Sequence, residues 1–239
     1  MQAASGTSGG SSGSPVLNIH GHAVALNAGG SNSSQSSFYL PLHRVVRAVE
    51  KIKNHEHVSR GTLQTEFLHK SYDELRRLGM TEQIEEECRV RYPMATGLLS
   101  IVRVLRGGPA SAFRKNAPPE KMIDGKLRVP GLEPGDILFS CNDQHIKGFV
   151  DLWEIIDDSV GQDIRLEIFR AGKDGGASGM VQVVCTVQDL HSITPSRFLE
   201  VGGAVFHDMS YQVGRNHNVE LGTGVYCAGK CLLFSRKSF

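Results

Sequence analysis

The chain has 239 residues, 40% of them hydrophobic and 21% charged, with a net charge of +1 at neutral pH. That length suggests one to two domains, and the near-neutral balance gives no bulk case for nucleic acid or a membrane surface as partner. No apolar run approaches the ~20 residues of a membrane helix, and no charged stretch followed by an apolar core marks a secretory leader.

The first informative stretch is residues 4–15, dense in glycine and serine. Composition alone allows a flexible linker or a cloning scar. Within it, however, Gly10-Ser11-Ser12-Gly13-Ser14-Pro15 resembles the G-x-S-G-G/S-P nucleophile loop of chymotrypsin-like serine proteases, with Ser14 where a second glycine is usual. Such a loop needs glycines because its backbone turns tightly and aims N–H groups at one point. The resemblance implies Ser12 as nucleophile, with the Gly10 and Ser12 amides as oxyanion hole.

Residues 15–29 then give a hairpin signal, two apolar runs around a glycine-containing turn, into which a tag would not run. In the Do-like (HtrA/Deg) proteases, which residues 3–53 resemble, this hairpin is followed by a Gly/Ser segment, a short apolar strand and an amphipathic helix. Residues 30–37 read as a surface loop, and Leu42, Val45, Val46, Val49 and Ile52 predict a helix over 42–53. By the same resemblance Leu26, Asn27 and Ala28 form the strand that pairs with substrate and walls the S1 pocket. No acidic residue there attracts a basic P1 side chain, so small or aliphatic P1 residues are expected. His55 and His57, two apart, suit neither one helical face nor a metal site, and read as solvated linker.

Residues 59–191 read as a second unit, one that resembles the PDZ domain of the same proteases. Arg60-Gly61-Thr62-Leu63-Gln64 is similar to the R-G-x-L-G opening, with Gln64 in place of glycine. The resemblance makes residues 60–63 the loop that binds a peptide's terminal carboxylate, beside a strand edge that pairs with the peptide. Ser71 and Glu74 form a capping box, and Gly79 stops the helix they open. The acidic run 82–87 reads as a solvated face. A strand over 97–105 leads into Gly107-Gly108-Pro109-Ala110-Ser111-Ala112, similar to the turn and short helix of this PDZ class. Residues 131–138 are a close match to its G-L-x-x-G-D-x-I-L strand, and 114–130, rich in Pro, Lys and Arg, is expected to be a surface insertion. Residues 149–156 predict the groove helix, with Trp153 in the core or groove wall. Strands over 165–170 and 180–187 flank a loop at 172–179, which lacks a phosphate-binding pattern.

A faint repeat relates Phe206-His207-Asp208-Met209-Ser210-Tyr211 to residues 67–72, and 223–226 to 96–99, so residues 192–239 read as the start of another PDZ-like unit. Five scattered cysteines, Cys88, Cys141, Cys185, Cys227 and Cys231, argue against a disulfide framework. A soluble intracellular protein with free thiols and neither metal nor cofactor is expected.

The expected fold class is mainly β with some α: the C-terminal part of a chymotrypsin-like barrel over 1–58, then an α+β PDZ domain. A triad also needs a base and an acid, and the eleven residues before Ser12 contain neither His nor Asp. The resemblance therefore implies a fragment of a Do-like endopeptidase of protein quality control, inactive alone, that takes peptides or unfolded proteins as partners. Its strands would be left with open edges and an unburied apolar face. The alternative is a non-catalytic PDZ adaptor with a vestigial protease segment. Oligomerisation of the parent protein stays open.

Overall fold

Alternating apolar residues put the N-terminal stretch into an antiparallel sheet in the computed structural model, which describes residues 2–4, 10–31, 36–172 and 178–228. Two units result, residues 1–58 and 59–239. The fold is mainly β with a few helices, as expected from the sequence.

In the first unit, strands β1 (Gln2–Ala4), β2 (Pro15–Leu17), β3 (Ala23–Ser31) and β4 (Ser36–Pro41) lie in the order β1-β4-β3-β2. Helix α1 (Leu42–Lys53) follows, with its apolar stripe as predicted but no fully buried residue. Among the described residues of this unit, Ala25 is the only apolar side chain in the buried class, while Ile19, Ile52 and Leu17 are 96%, 63% and 58% exposed. The sheet thus leaves much of its apolar surface uncovered. Parts of the predicted loop at 30–37 and of the glycine-rich segment at 4–15 lie outside the described residues.

The second unit opens with β5 (Gly61–Thr62), β6 (Thr65–Ser71), α2 (Tyr72–Arg77) and α3 (Glu82–Arg91). Next come β7 (Gly97–Val104), β8 (Lys121–Ile123), β9 (Lys126–Arg128), β10 (Ile137–Cys141) and β11 (Gln144–His145). Helix α4 (Phe149–Asp158) precedes β12 (Asp163–Arg170), β13 (Gly179–Thr186) and β14 (Gln188–Asp189). The main sheet runs β6-β7-β10-β12-β13-β9-β8, with β11 hairpinned onto β10. Asn142 and Asp143, both at positive φ (49° and 63°), make the tight turn of that hairpin.

Each sheet face carries its own core. On one, Leu152 and Ile156 of α4 pack with Leu63, Phe67, Leu99, Ile101, Leu138, Leu166 and Ile168. Trp153 is partly buried against this cluster. On the other, Tyr72, Leu75, Met80 and Cys88, from α2, α3 and the link between them, cover Leu98, Ile137 and Phe169. The capping box is present: the Glu74 N–H donates to Ser71 Oγ and the Ser71 N–H to Glu74 Oε2. Helix α2 ends at Gly79 (φ +97°), where a Cβ would come within 2.7 Å of that of Ala171.

Three expectations are corrected. The acidic run is helical and not wholly solvated: Glu85 is 5% exposed, held by Arg89 at 2.8 Å and Arg76 at 3.2 Å. Residues 108–117 form successive turns rather than a short helix. Their N–H groups at Ser111, Arg114 and Ala117 each reach three residues back, while the Ala110 carbonyl is taken by the Leu132 N–H. The insertion is more than surface decoration, because β8 and β9 form a hairpin and β9 pairs in parallel with β13, covering its edge. Arg114 fastens its two ends, donating to the carbonyls of Pro130 and Val184.

Beyond β14 and a 3-10 turn (His191–Ile193), strands β15 (Leu199–Val201), β16 (Ala204–Asp208) and β17 (Val225–Ala228) form a three-stranded sheet. Helix α5 (Tyr211–His217) joins the last two, capped by Ser210. Strand, serine cap, helix and pairing strand follow one another here as they do from β6 to β7. Residues 173–177 of the predicted glycine-rich loop, and residues 229–239 with Cys231, lie outside the described residues.

Burial pushes the thiols of Cys88, Cys141 and Cys185 up to about 11, 12 and 12, whereas Cys227 is exposed. Among these four, iodoacetamide near neutral pH is expected to label Cys227 first, because the thiolate is the nucleophile. Peptide mapping checks this, and early labelling of Cys141 or Cys185 would contradict the packing of the core.

Candidate active site and peptide groove

The serine loop of the first unit is a β-turn. The Ser14 N–H donates to the Ser11 carbonyl at 3.1 Å, which leaves Ser12 and Gly13 as its central residues. Gly13 has φ +85°, the conformation a type II turn demands at its third position, and Gly10 has φ +91°. Ser12 and Gly10 are exposed at the tip. Among the described residues neither the Gly10 nor the Ser12 amide has a partner. Serine chemistry at such a tip needs free N–H groups of this kind to hold an oxyanion.

Asn27 fixes this turn. Its side-chain amide donates to Ser11 Oγ at 2.9 Å and to the Ser11 carbonyl at 3.1 Å. Its backbone N–H reaches the Ser14 carbonyl at 2.9 Å, and its carbonyl accepts from the Gly13 N–H at 2.7 Å. Asn27 is 7% exposed. Of the three strand residues expected to meet substrate, Asn27 is therefore committed to the serine loop, and Leu26 is paired on both sides, with Pro15 and Leu40. Ala28 is the extra residue of a β-bulge, exposed, at the start of a stretch that among the described residues pairs only with β4. Bulges of this sort re-aim backbone beside active sites. Residues 1–58 contain no aspartate. The two histidines of the neighbouring hairpin, His20 and His22, have their backbone N–H groups on Asn18 Oδ1.

In the second unit, the segment 60–64 sits between β14 and the end of α4. Gly61 and Thr62 pair with Asp189 and Gln188. The buried Asp157, at the last turn of α4, accepts the Gly61 N–H at 3.0 Å and the Arg60 guanidinium at 2.7 Å. Arg60 thus ties the loop to the helix. Glycine is required at 61, since a Cβ there would lie 2.2 Å from the Ile156 carbonyl oxygen. Thr62, Leu63 and Gln64 are 5%, 2% and 6% exposed. Gln64 stands at φ +51°, the left-handed region that the usual glycine would favour. Three bonds hold it there: its N–H donates to Thr62 Oγ1 at 3.0 Å, its carbonyl accepts from the Leu105 N–H at 3.0 Å, and its side chain donates to Gln188 Oε1 at 2.6 Å. The loop leads into β6, an edge strand of the main sheet.

Asp157 and the bracing role of Asn27 were not singled out from the sequence. Asp157 had a signal, an acidic residue four positions after Trp153 on the inward stripe of α4, but its partners lie 96 and 97 residues away.

A serine presented on a two-glycine turn, and a separate unit whose edge strand begins at a glycine loop, are the arrangement expected of a PDZ-bearing serine protease segment. Comparison with known proteins agrees. The chain is 42% identical over 234 residues to the pro-apoptotic serine protease NMA111 of Eremothecium gossypii, covering 95% of this chain and 22% of that protein. It is 43% identical over 245 residues to Protease Do-like 7 of Arabidopsis thaliana, covering 98% of this chain and 20% of that one. A family model described as a PDZ-like domain matches residues 192–237. Among solved structures, an HtrA-type protease AlgW with decapeptide aligns at 19% identity and a TM-score of 0.42, over 73% of this chain and 44% of that one. The chain is thus a relative, over nearly its whole length, of a segment of the Do-like (HtrA/Deg) serine proteases. It spans about a fifth of the length of the curated relatives it matches.

Proposed function

We propose that this chain is the nucleophile-bearing and peptide-recognising segment of a serine endopeptidase that acts on unfolded or misfolded proteins. The observation that carries the proposal is the Ser11–Ser14 turn, which exposes Ser12 and leaves the Gly10 and Ser12 amides unpartnered among the described residues. In the reaction, Ser12 Oγ attacks the peptide carbonyl while a general base takes its proton. The carbonyl oxygen becomes an oxyanion and accepts from the amides of Gly10 and Ser12. The base returns the proton to the leaving amine, and water then releases the acyl group from Ser12 by the same route in reverse. Residues 1–58 contain no aspartate, so an aspartate that orients the base comes from elsewhere in the protein. The substrate backbone pairs along β3 from Ala28 onward, since Leu26 and Asn27 are already engaged.

The domain reading is part of the proposal: protease segment over 1–58, PDZ unit over 59–191 and the opening of a second over 192–239. A peptide's C-terminus enters between β6 and α4, its carboxylate at residues 60–63 and its backbone extending the sheet at the β6 edge. Arg60 serves there through Asp157, holding loop and helix together.

The test is casein hydrolysis by the full-length protein and by its Ser12→Ala variant. Loss of cleavage in the variant supports the assignment, and undiminished cleavage refutes it. The 239-residue chain alone is expected to show no Ser12-dependent cleavage.

A further inference from the structure

Gln64 adopts a left-handed backbone that costs a non-glycine residue on the order of 1–3 kcal/mol, and such residues persist only where their surroundings over-determine them. Two of its three restraining partners, Thr62 and Leu105, are themselves gripped by α5 and the turn after it. Leu105, 1% exposed, packs against Gly214, where a Cβ would have Leu105 Cδ2 at 3.7 Å. No side chain fits comfortably at 214, because the same Cβ would meet the Val219 carbonyl oxygen at 2.8 Å and Leu221 at 3.0 Å. The Tyr211 hydroxyl lies close to Thr62 and Arg215, with the Arg215 guanidinium 5.9 Å from the centre of its ring. Arg103 of β7, paired opposite Glu66 of β6, donates to the Arg215 carbonyl. Glu220 reaches Arg106 at 4.0 Å and crowds Gly107, whose Cβ would lie 2.3 Å from its carboxylate.

Residues 105–108 are therefore clasped between Gln64 on one side and the α5 turn on the other. Gly108 is pressed against the Gln64 side chain, with 2.8 Å from its Cβ position to that of Gln64. Two routes converge on the one strained residue of the loop, Tyr211 through Thr62 and Gly214 through Leu105. We infer that α5 and its following turn are a brace that sets the shape of the peptide-carboxylate loop of the preceding unit, with Tyr211 and Gly214 as positioning residues for peptide binding. The inference rests on the proposed groove at residues 60–63. It gives the segment that matches the PDZ-like domain a second task, as a support for the groove of its neighbour, and makes peptide affinity there dependent on how α5 is docked.

The test uses the whole chain and a fluorescein-labelled heptapeptide ending in valine, with a free or an amidated C-terminus. Fluorescence anisotropy gives affinity, and hydrogen exchange at the Gln64 amide reports the loop itself. Tyr211→Phe, which keeps the ring, is expected to weaken binding about fivefold, the scale of one hydrogen bond, and to speed exchange at Gln64. Gly214→Val is expected to do both more strongly. Tyr226→Phe, in the same three-stranded sheet, should change neither. Unchanged affinity in both Tyr211→Phe and Gly214→Val would overturn the brace. Equal binding of the free and amidated peptides to the unaltered chain would instead remove the carboxylate loop, while exchange at Gln64 would still report whether α5 restrains it.

Discussion

Replacing Ser12 with alanine in the full-length protein is expected to lower kcat for peptide hydrolysis on the order of 10⁶-fold, the scale on which serine proteases lose activity without their nucleophile. Little else should change. The turn that presents Ser12 is closed by Ser11, Gly13 and Ser14, through backbone bonds to Asn27 and across the turn, and none of these uses the Ser12 side chain. Because Ser12 is exposed, stability should shift by no more than about 0.5 kcal/mol. The substitution removes only the attacking oxygen and leaves the substrate-pairing strand intact, so substrate should still bind with KM nearly unchanged. Hydrolysis rates together with a thermal melt check all three statements. A variant that melts early would show that the loss of activity is not specific to the nucleophile.

The largest effect on stability is expected at Asp136. This residue is 2% exposed and closes the turn made by Gly135 (φ +97°), where its carboxylate accepts the Glu133 N–H at 2.7 Å. The same carboxylate takes a bidentate pair of bonds from Arg170, Nε to Oδ1 at 2.8 Å and Nη2 to Oδ2 at 2.7 Å. Burial pushes the Asp136 carboxyl up, against the pull of Arg170. Asp136→Ala strands a mostly buried guanidinium that keeps, among the described residues, only the Gly131 carbonyl and Glu133 as partners. Breaking a buried pair from one side costs about 3–5 kcal/mol, a large part of what holds a domain together. Removing both partners with Asp136→Ala and Arg170→Met should cost less than the single change, because no charge is then left uncompensated. Urea midpoints of the two variants measure the difference. If the double variant were the less stable of the two, the pair would be net stabilising beyond its role of mutual neutralisation.

The parts of the fold that were legible in the sequence are those in which the backbone itself demands a residue type. Gly10 and Gly13 mark the serine turn because they take positive φ. Gly135-Asp136 marks a strand entry because the turn needs glycine and the buried N–H needs a carboxylate. Ser71 and Glu74 announce a helix start three residues apart, and the stripes of α1 and α4 show in their periodicity. What was not legible depends on partners far along the chain. Nothing local to residues 82–87 shows that Glu85 is buried while its neighbours are solvated, since its partner Arg76 belongs to another helix. The turns at 108–117 resemble a short helix until the Ala110 carbonyl is seen to be taken by Leu132. The insertion gives no sign that its hairpin will extend the sheet in parallel beside β13.

The candidate site divides in the same way. Ser12 and Gly10 follow from a six-residue pattern with a defined geometry. Leu26, Asn27 and Ala28 were placed together by resemblance, yet β3 gives each a different task, because the serine turn claims the backbone of Asn27. At residues 60–63 the glycine is explained by its approach to Ile156. The substitution of Gln64 becomes intelligible only with Thr62, Leu105 and Gln188 around it.

The most direct measurement of the central claim is the site of covalent labelling by a fluorophosphonate, which reacts with activated serine nucleophiles, in the full-length protein. Peptide mapping by mass spectrometry is expected to find a single adduct, on Ser12, whose appearance parallels the loss of casein hydrolysis. Complete inhibition with the adduct on another serine, and Ser12 unmodified, would contradict the account.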